Sequence, residues 1–304
     1  MITLLEPPRP AGLTSGGFRY QERIVTAIGA HARRITVDPR HLHEHVRQLR
    51  TTQPSDAVVV DGWFADLCEA PLPAGVTALM HMLPRDWAST ANVERAITTG
   101  ASTADALRTH VANVKLVRPG IDDCFTPRPR RGDDTVGVIC SGTISEQKGQ
   151  RRLVEAIRDA PAPWRLTIVG SLAVAPEEVA RLRGTAAGHP VTILEAVTPD
   201  ALADLYTQHD LFVSLSRSES YGMAAAEAVA AGLPLFGLAI GELHNFGRDD
   251  ARWLLPVDAA DRAIASALHQ LLASPDALRA RRGAEVTARR SWADVAVEFV
   301  EACR

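Results

Sequence analysis

The chain has 304 residues, 46% of them hydrophobic, and a formal net charge of −3. That content suffices for one large domain or two ordinary ones with real cores, and the near-neutral balance offers no global basic field for nucleic acid or an anionic membrane. The N-terminal MITLLEPPRP lacks the basic start and long apolar core of a signal peptide, and no run of ~18 apolar residues predicts a transmembrane helix.

In chain order, Ile2–Leu5 reads as a strand. The loop Thr14-Ser15-Gly16-Gly17 follows, then a helix from about Phe18 to Ala30 and a strand at Arg34–Val37. Asp38-Pro39 supplies an N-cap and a first-turn proline for a helix running to about Arg50. Ala57–Val60, Val76–Met80 and Val114–Val117 are further strands, and Ser102–His110 looks helical, while Ala91–Thr98 has no clear pattern. Phe125–Asp134, FTPRPRRGDD, is polar, proline-rich and aperiodic, and is read as a domain boundary. Its Arg128, Arg130 and Arg131 are expected to form a solvated face, with phosphate or anionic lipid as the alternative.

Beyond it the alternation restarts. Strands are expected at Val136–Cys140, Arg165–Val169, Val191–Leu194, Leu211–Leu215 and Leu235–Leu238. Helices are expected at Gln147–Ala160, Pro176–Ala187, Pro199–His209, Met223–Ala231, Ala259–Ala273, Pro275–Arg289 and Trp292–Cys303. Strand–helix alternation implies parallel sheets covered by helices. Two such runs imply an α/β protein of two doubly wound, Rossmann-like domains, whose ligands bind at the C-terminal edges of the strands.

Three joints at those edges carry candidate chemistry. Gly16 and Gly17 open the first helix, where a close backbone suits phosphate as well as a plain turn. Gly142-Thr143-Ile144-Ser145-Glu146-Gln147-Lys148 follows the first strand of the second half. Lys148, one of only two lysines, stands there at a helix start. A cation does not complement that end of a helix dipole, so Lys148 is either a solvated lysine or the partner of a bound diphosphate. The third joint, Ser218–Val229, places Glu219 in a loop beside Ser220, Tyr221 and Gly222, and Glu227 in an apolar helix. A helix apolar all round is normally buried, and a carboxylate there is costly unless something hydrogen-bonds it. Two carboxylates at one edge suit hydroxyl-rich groups such as sugar and ribose. No D-x-D and no clustered third acid points to a metal pair. The four cysteines (Cys68, Cys124, Cys140, Cys303) form no C-x-x-C pair, so zinc and a disulfide framework are not indicated and a reducing cytoplasm fits. His41, His43 and His45 in HLHEH resemble metal ligands, but no third ligand is predictable and an exposed helix start explains them.

The block SLSRSESYGMAAAEAVAAGLP, Ser214–Pro234, resembles the E-x-seven-E signature of retaining glycosyltransferases of the GT-B fold, family four. GTISEQKGQRRLVEAI resembles that family's diphosphate loop, LTIVGS its next strand and turn, RPGIDDCF its pre-linker segment and SWADVAVEFV its terminal helix. The likeness is concentrated in residues 114–304. It implies a shortened acceptor domain over residues 1–127, a nucleotide-sugar donor domain over 128–288, and a terminal helix over 289–304 returning to the first domain, with the active site in the cleft between domains. It further implies that Glu227 binds ribose hydroxyls, Glu219 the donor sugar and Lys148 the diphosphate. Gly16, Gly17, Gly142, Thr143, Ser220, Tyr221 and Gly222 would contact the nucleotide sugar, and His81 would stand near the reacting sugar, although a structural histidine fits that position too. The family usually has an arginine where this chain has Thr143, so either Arg217 or Arg85 substitutes or catalysis is weakened. The expected function is therefore retaining, metal-independent hexosyl transfer from a nucleotide-diphospho sugar, with no resident cofactor, to an unidentified glycan, lipid, small-molecule or protein acceptor. A lipid acceptor would bring peripheral membrane contact. A non-catalytic nucleotide-sugar binder or partner subunit, and a nucleotide-sugar epimerase on the same scaffold, are the alternatives.

Overall fold

A computed structural model describes residues 1–13, 15–131, 133–283 and 289–304. Thr14 of the first loop, Gly132 of the FTPRPRRGDD segment and residues 284–288 of the expected helix Pro275–Arg289 lie outside the described residues. The chain divides into two compact units. The first comprises Met1–Arg9, Gly17–Gly120 and Arg290–Arg304, and the second Pro10–Gly16 and Ile121–Arg289.

The elements of the first unit are β1 (Ile2–Glu6), α1 (Gly16–Ile28), β2 (Ala32–Thr36), α2 (Leu42–Thr52), β3 (Ala57–Asp61), α3 (Phe64–Leu67), β4 (Thr77–Met80), β5 (Arg95–Thr98), α4 (Ala101–Arg108) and β6 (Asn113–Leu116). The strands form one six-stranded sheet in the order β2-β1-β3-β4-β5-β6, parallel throughout. Leu5, Val58, Val60, Ala78 and Met80 pack with Leu42, Val46 and Leu49 of α2 and Leu107 of α4. Their alternate neighbours Leu4, Val59, Leu79 and Ile97 are buried as well. With a side-chain period of two, both faces of this sheet are therefore covered, which is what a parallel sheet requires.

The second unit holds β7 (Val136–Ser141), α5 (Gln150–Ile157), β8 (Trp164–Val169), α6 (Pro176–Ala186), β9 (Val191–Leu194), α7 (Pro199–Tyr206), β10 (Leu211–Ser214), α8 (Met223–Ala230), β11 (Leu235–Leu238), β12 (Arg252–Leu255), α9 (Asp261–Leu272) and α10 (Pro275–Arg279). Its sheet is also parallel, in the order β12-β11-β10-β7-β8-β9. Val136, Val138 and Cys140 face one core with α5, α6 and α9, while Ile139 and Phe212 face another with α7 and α8. The final helix, α11 (Trp292–Ala302), belongs to the first unit. There Trp292 and Phe299 stand 5.7 and 6.3 Å from the ring of the fully buried Tyr20.

Several local expectations change. Lys148 does not begin the helix. It closes a 3₁₀ turn, Glu146–Lys148, and Gly149 at φ +73° separates that turn from α5. The left-handed backbone there breaks the continuous helix expected from Gln147 onward. The unpatterned stretch Ala91–Thr98 contains β5, and β12 and α3 join the elements anticipated. The helix expected over Pro275–Arg289 is α10 at Pro275–Arg279, followed by turns to Gly283. Arg131 is exposed, as expected of a solvated linker face, but Arg128 and Arg130 are paired. Arg130 Nε lies 2.6 Å from Oδ1 of the fully buried Asp210, and Arg128 Nη1 lies 2.6 Å from Asp204 Oδ1. A buried carboxylate needs such a partner, and the same Asp210 also accepts the Gly137 N–H at 2.9 Å.

Candidate active site

In the second unit, β7 lies between β10 and β8. Counted within the unit the order is 3-2-1-4-5-6 reversed, so the sheet changes winding direction between β7 and β10. Such a switch point opens a crevice at the carboxyl ends of the two strands, and ligands of open α/β sheets bind there. The loops that leave these two strands carry Gly142–Gly149 and Leu215–Gly222.

Those loops are tied to each other. The Arg217 N–H donates to the Gln147 carbonyl at 2.9 Å. Gly149 lies against Leu215, and a Cβ at position 149 would stand 2.6 Å from the Leu215 carbonyl oxygen. Within the first loop, Gln150 Nε2 donates to the Thr143 carbonyl at 3.1 Å, and the Gly142 N–H donates to Val169 at 2.9 Å. The result brings Lys148 and Glu219 together. Lys148 Nζ pairs with Glu219 Oε1, at side-chain exposures of 31% and 17%. Both groups remain in reach of solvent and hence of a soluble ligand.

After Glu219 the chain passes Ser220, which is buried, and Tyr221, whose ring meets Phe246 edge-on at 5.1 Å. Gly222 then takes φ +100° and caps α8. Glu227 follows on the second turn of that helix, 3% exposed among Ala225, Ala226, Ala228 and Val229. A neighbouring loop braces this segment. The Glu242 N–H donates to the Tyr221 carbonyl at 3.0 Å, and buried Glu242 accepts from Asn245 Nδ2. Gly16 also belongs to the second unit, where a Cβ on it would stand 3.3 Å from Met223 Sδ, at the first turn of α8. The second unit thus gathers Gly16, Gly142, Thr143, Lys148, Glu219, Ser220, Tyr221, Gly222 and Glu227 around the loops after β7 and β10 and the start of α8.

Gly17 and His81 belong to the first unit. Gly17 lies against the His81 ring, and a Cβ there would stand 2.9 Å from Cδ2. His81 follows β4 directly and is half-buried. Desolvation pushes its imidazole down to about 4, so the ring is neutral at pH 7. Two residues that sequence reasoning passed over meet it here. Gln21 of α1 and Asp61 at the end of β3 are buried, with Gln21 Nε2 2.6 Å from Asp61 Oδ2 and 3.5 Å from His81 Nε2. The signal for Asp61 was a carboxylate ending the apolar strand Ala57–Val60 at its carboxyl edge; Gln21, inside the polar run Arg19–Glu22, gave none.

Of the remaining candidates, Arg85 is highly exposed and stands 3.8 Å from Asp66. Arg217 is exposed, with its backbone joined to the Lys148 turn. Of the HLHEH histidines, His43 Nε2 lies 2.9 Å from the Pro71 carbonyl, and His41 lies 3.8 Å from Glu44. Among the described residues no group of three or more His, Cys, Asp or Glu side chains is arranged to hold a metal ion, and no helix is long and apolar enough to cross a membrane.

Two parallel six-stranded sheets with helices packed on their faces define an α/β protein of GT-B type. Residues 135–274 match the family described as Glycosyl transferases group 1. It is 34% identical over 221 residues to a D-inositol 3-phosphate glycosyltransferase of Xylanimonas cellulosilytica, a match covering 65% of this chain and 51% of the relative. The chain thus spans about half the length of the curated relatives it matches. In three dimensions it is similar to a sucrose-phosphate synthase from Thermosynechococcus elongatus, with TM-score 0.77, 18% identity, and 99% and 97% of the two chains covered. It is also similar to HepE from Anabaena in complex with UDP-glucose, with TM-score 0.77, 14% identity, and 99% and 98% covered. These likenesses show the fold.

Proposed function

We propose that this protein is a glycosyltransferase that moves a sugar, in keeping with hexosyl transfer, from a nucleotide-diphospho sugar to an acceptor hydroxyl, with retention of configuration and without a metal. The observation that carries this reading is the Lys148–Glu219 pair at the β7/β10 switch point, with Glu227 buried one turn into the helix that follows. A solvent-accessible cation just before the N-terminus of α5 suits a diphosphate, and a buried carboxylate in α8 suits ribose hydroxyls. The names of the relatives and the UDP-glucose held by HepE support the same donor class.

In this reaction the bond between the anomeric carbon and the β-phosphate oxygen breaks. The acceptor oxygen bonds to that carbon on the same face, and its proton leaves with the diphosphate. Negative charge grows on the departing phosphate, and electrostatic stabilisation of such charge is usually the largest catalytic contribution. Lys148 supplies it here, in the place a metal takes in other enzymes. Glu219 exchanges its Lys148 contact for hydroxyls of the sugar. Gly142, Thr143, Ser220, Tyr221 and Gly222 line the donor, with Gly16 beside the first turn of α8. The second unit is the donor domain and the first the acceptor domain. Free Cys68, Cys124, Cys140 and Cys303 support a cytoplasmic setting.

Thr143 favours a second reading, a non-catalytic nucleotide-sugar binder, because a threonine adds no charge against the diphosphate. Nucleotide release from UDP-, GDP- and ADP-sugars with broad acceptor mixtures separates the two. A transferase releases nucleotide and loses that turnover in Glu219→Ala. A binder releases none, and that result overturns the proposal.

A further inference from the structure

Gln21, Asp61 and His81 form a network in the first unit that the donor chemistry above does not use. They converge from α1, from the end of β3 and from the residue after β4. β1, which precedes α1, lies between β2 and β3, so this is the carboxyl edge of the first sheet at its own switch point. One Gln21 atom, Nε2, faces both Asp61 Oδ2 at 2.6 Å and His81 Nε2 at 3.5 Å. The other carboxylate oxygen, Asp61 Oδ1, accepts the Trp63 N–H at 2.9 Å. Gln21 Oε1 is buried without a partner. The edge of the Tyr20 ring stands 5.3 Å from the imidazole at 73°, and Gly17 covers another side.

Because a single amide atom touches both neighbours, the Asp61 proton and the His81 tautomer are coupled. Two arrangements are self-consistent. In one, Asp61 is ionised, both N–H groups of Gln21 Nε2 donate, and His81 Nε2 accepts, which puts the imidazole proton on Nδ1. In the other, the Gln21 amide is flipped, Asp61 is protonated, and both Asp61 and His81 Nε2–H donate to the amide oxygen. The partnerless position separates them. An oxygen there leaves one acceptor unpaired, whereas an NH₂ there leaves two buried donors unpaired, and each unpaired buried group is costly. The first arrangement also needs no proton on Asp61. Burial raises the Asp61 carboxyl, but the N–H groups of Trp63 and Gln21 and the charge of Arg9 oppose that rise. Among the described residues His81 Nδ1 has no hydrogen-bond partner, and the side chain is half-buried.

We infer that Asp61 and Gln21 are positioning residues that hold His81 as a hydrogen-bond donor through Nδ1–H, presenting a fixed N–H rather than a base to a ligand oxygen. That the ligand oxygen is a sugar or acceptor hydroxyl rests on the proposed transfer reaction; the tautomer does not. A neutral donor of this kind orients a hydroxyl without taking its proton, which agrees with a reaction whose proton leaves with the diphosphate.

The test is a histidine side-chain ¹⁵N–¹H correlation spectrum of the full chain labelled with ¹⁵N-histidine, at pH 7 without ligand. His81 is assigned by the signal lost in His81→Asn. The expected result is a proton on Nδ1 and an unprotonated Nε2 in the unaltered protein, a readout that needs no variant of the network to fold. Gln21→Met, similar in size but without a donor, and the isosteric Asp61→Asn both move population to the Nε2–H form. In the transferase assay Gln21→Met lowers kcat about tenfold with the donor KM within about twofold. An Nε2–H tautomer in the unaltered protein overturns the inference, as does an Nδ1–H signal unchanged in Gln21→Met. Absence of any nucleotide release would instead strike the transferase reading and leave the tautomer assignment standing.

Discussion

Lys148 and Glu219 are 71 residues apart in sequence and form an ion pair. The pair is half-buried, so its own contribution to stability is small, about 1 kcal/mol or less. Its consequence is for binding: a diphosphate competes with Glu219 for the same ammonium group. Lys148→Met is expected to weaken UDP by roughly 10- to 100-fold, the value of one charge-assisted hydrogen bond. Glu219→Gln removes the competitor and is expected to bind bare UDP as tightly as the unaltered protein or a few-fold tighter, while turnover of the nucleotide sugar falls. Calorimetric titration and a nucleotide-release assay check the two halves. A Glu219→Gln protein that loses UDP affinity as severely as Lys148→Met contradicts the competition.

Gly149 permits the two site loops to touch. Its φ of +73° and the 2.6 Å approach of a Cβ to the Leu215 carbonyl oxygen leave no room for a side chain. Gly149→Ala is expected to cost more than about 1–2 kcal/mol from the left-handed backbone alone, with the steric conflict added. Chemical denaturation and UDP titration should show loss of stability and of affinity together. Wild-type values for both would show that the loops are not held by this contact.

His209 predicts a pH dependence of folding. It is buried, with Nδ1 2.7 Å from the Leu205 carbonyl and Nε2 2.8 Å from Thr167 Oγ1. Desolvation pushes its imidazole down to about 4. An unfolded histidine has a pKa of about 6.5, so below that value the unfolded chain takes up a proton that the folded chain refuses. Stability is therefore full above about pH 6.5 and falls as the pH drops towards 4, by about 2 kcal/mol at pH 5 from this residue. Denaturation curves at pH 7 and pH 5 measure the loss, and His209→Gln should make it smaller. His81, whose imidazole desolvation also pushes down to about 4, acts in the same direction.

α11 tests the make-up of the first unit. Phe299 is 1% exposed and meets Tyr20, whose hydroxyl donates to the Val117 carbonyl at 3.2 Å. Phe299→Ala is expected to cost about 3–5 kcal/mol. Two units need not unfold together, so hydrogen exchange should show lost protection in β1, α1 and β3 with β7 and β10 little changed. Equal loss in both sheets would contradict the assignment of α11 to the first unit.

Much of this architecture was legible locally. Apolar runs such as Val136–Cys140 and Leu211–Ser214 are short, bounded and followed by helical patterns, so the parallel α/β class follows from period alone. Glu227 was legible because a carboxylate amid alanines conflicts with its neighbours. β12 was missed since its apolar run is only Trp253–Leu255, between Arg252 and Pro256. The helical placement of Lys148 failed because Gly149 sits in a left-handed conformation that composition does not reveal. The Gln21–Asp61–His81 network was invisible because its members are separated by 40 and 20 residues and meet only after three strands align. A polar side chain on an amphipathic helix reads as solvent-facing until the fold supplies its partner.

The most direct test of the central claim is calorimetric titration of the purified chain with UDP, GDP and ADP, repeated on Glu227→Gln, which keeps the shape of the buried side chain and removes its charge. Saturable binding of one diphosphate is expected, weakened about tenfold or more in Glu227→Gln while thermal stability is retained. Failure of all three diphosphates to bind, or undiminished affinity in Glu227→Gln, would contradict the assignment of the second unit as the nucleotide-sugar site.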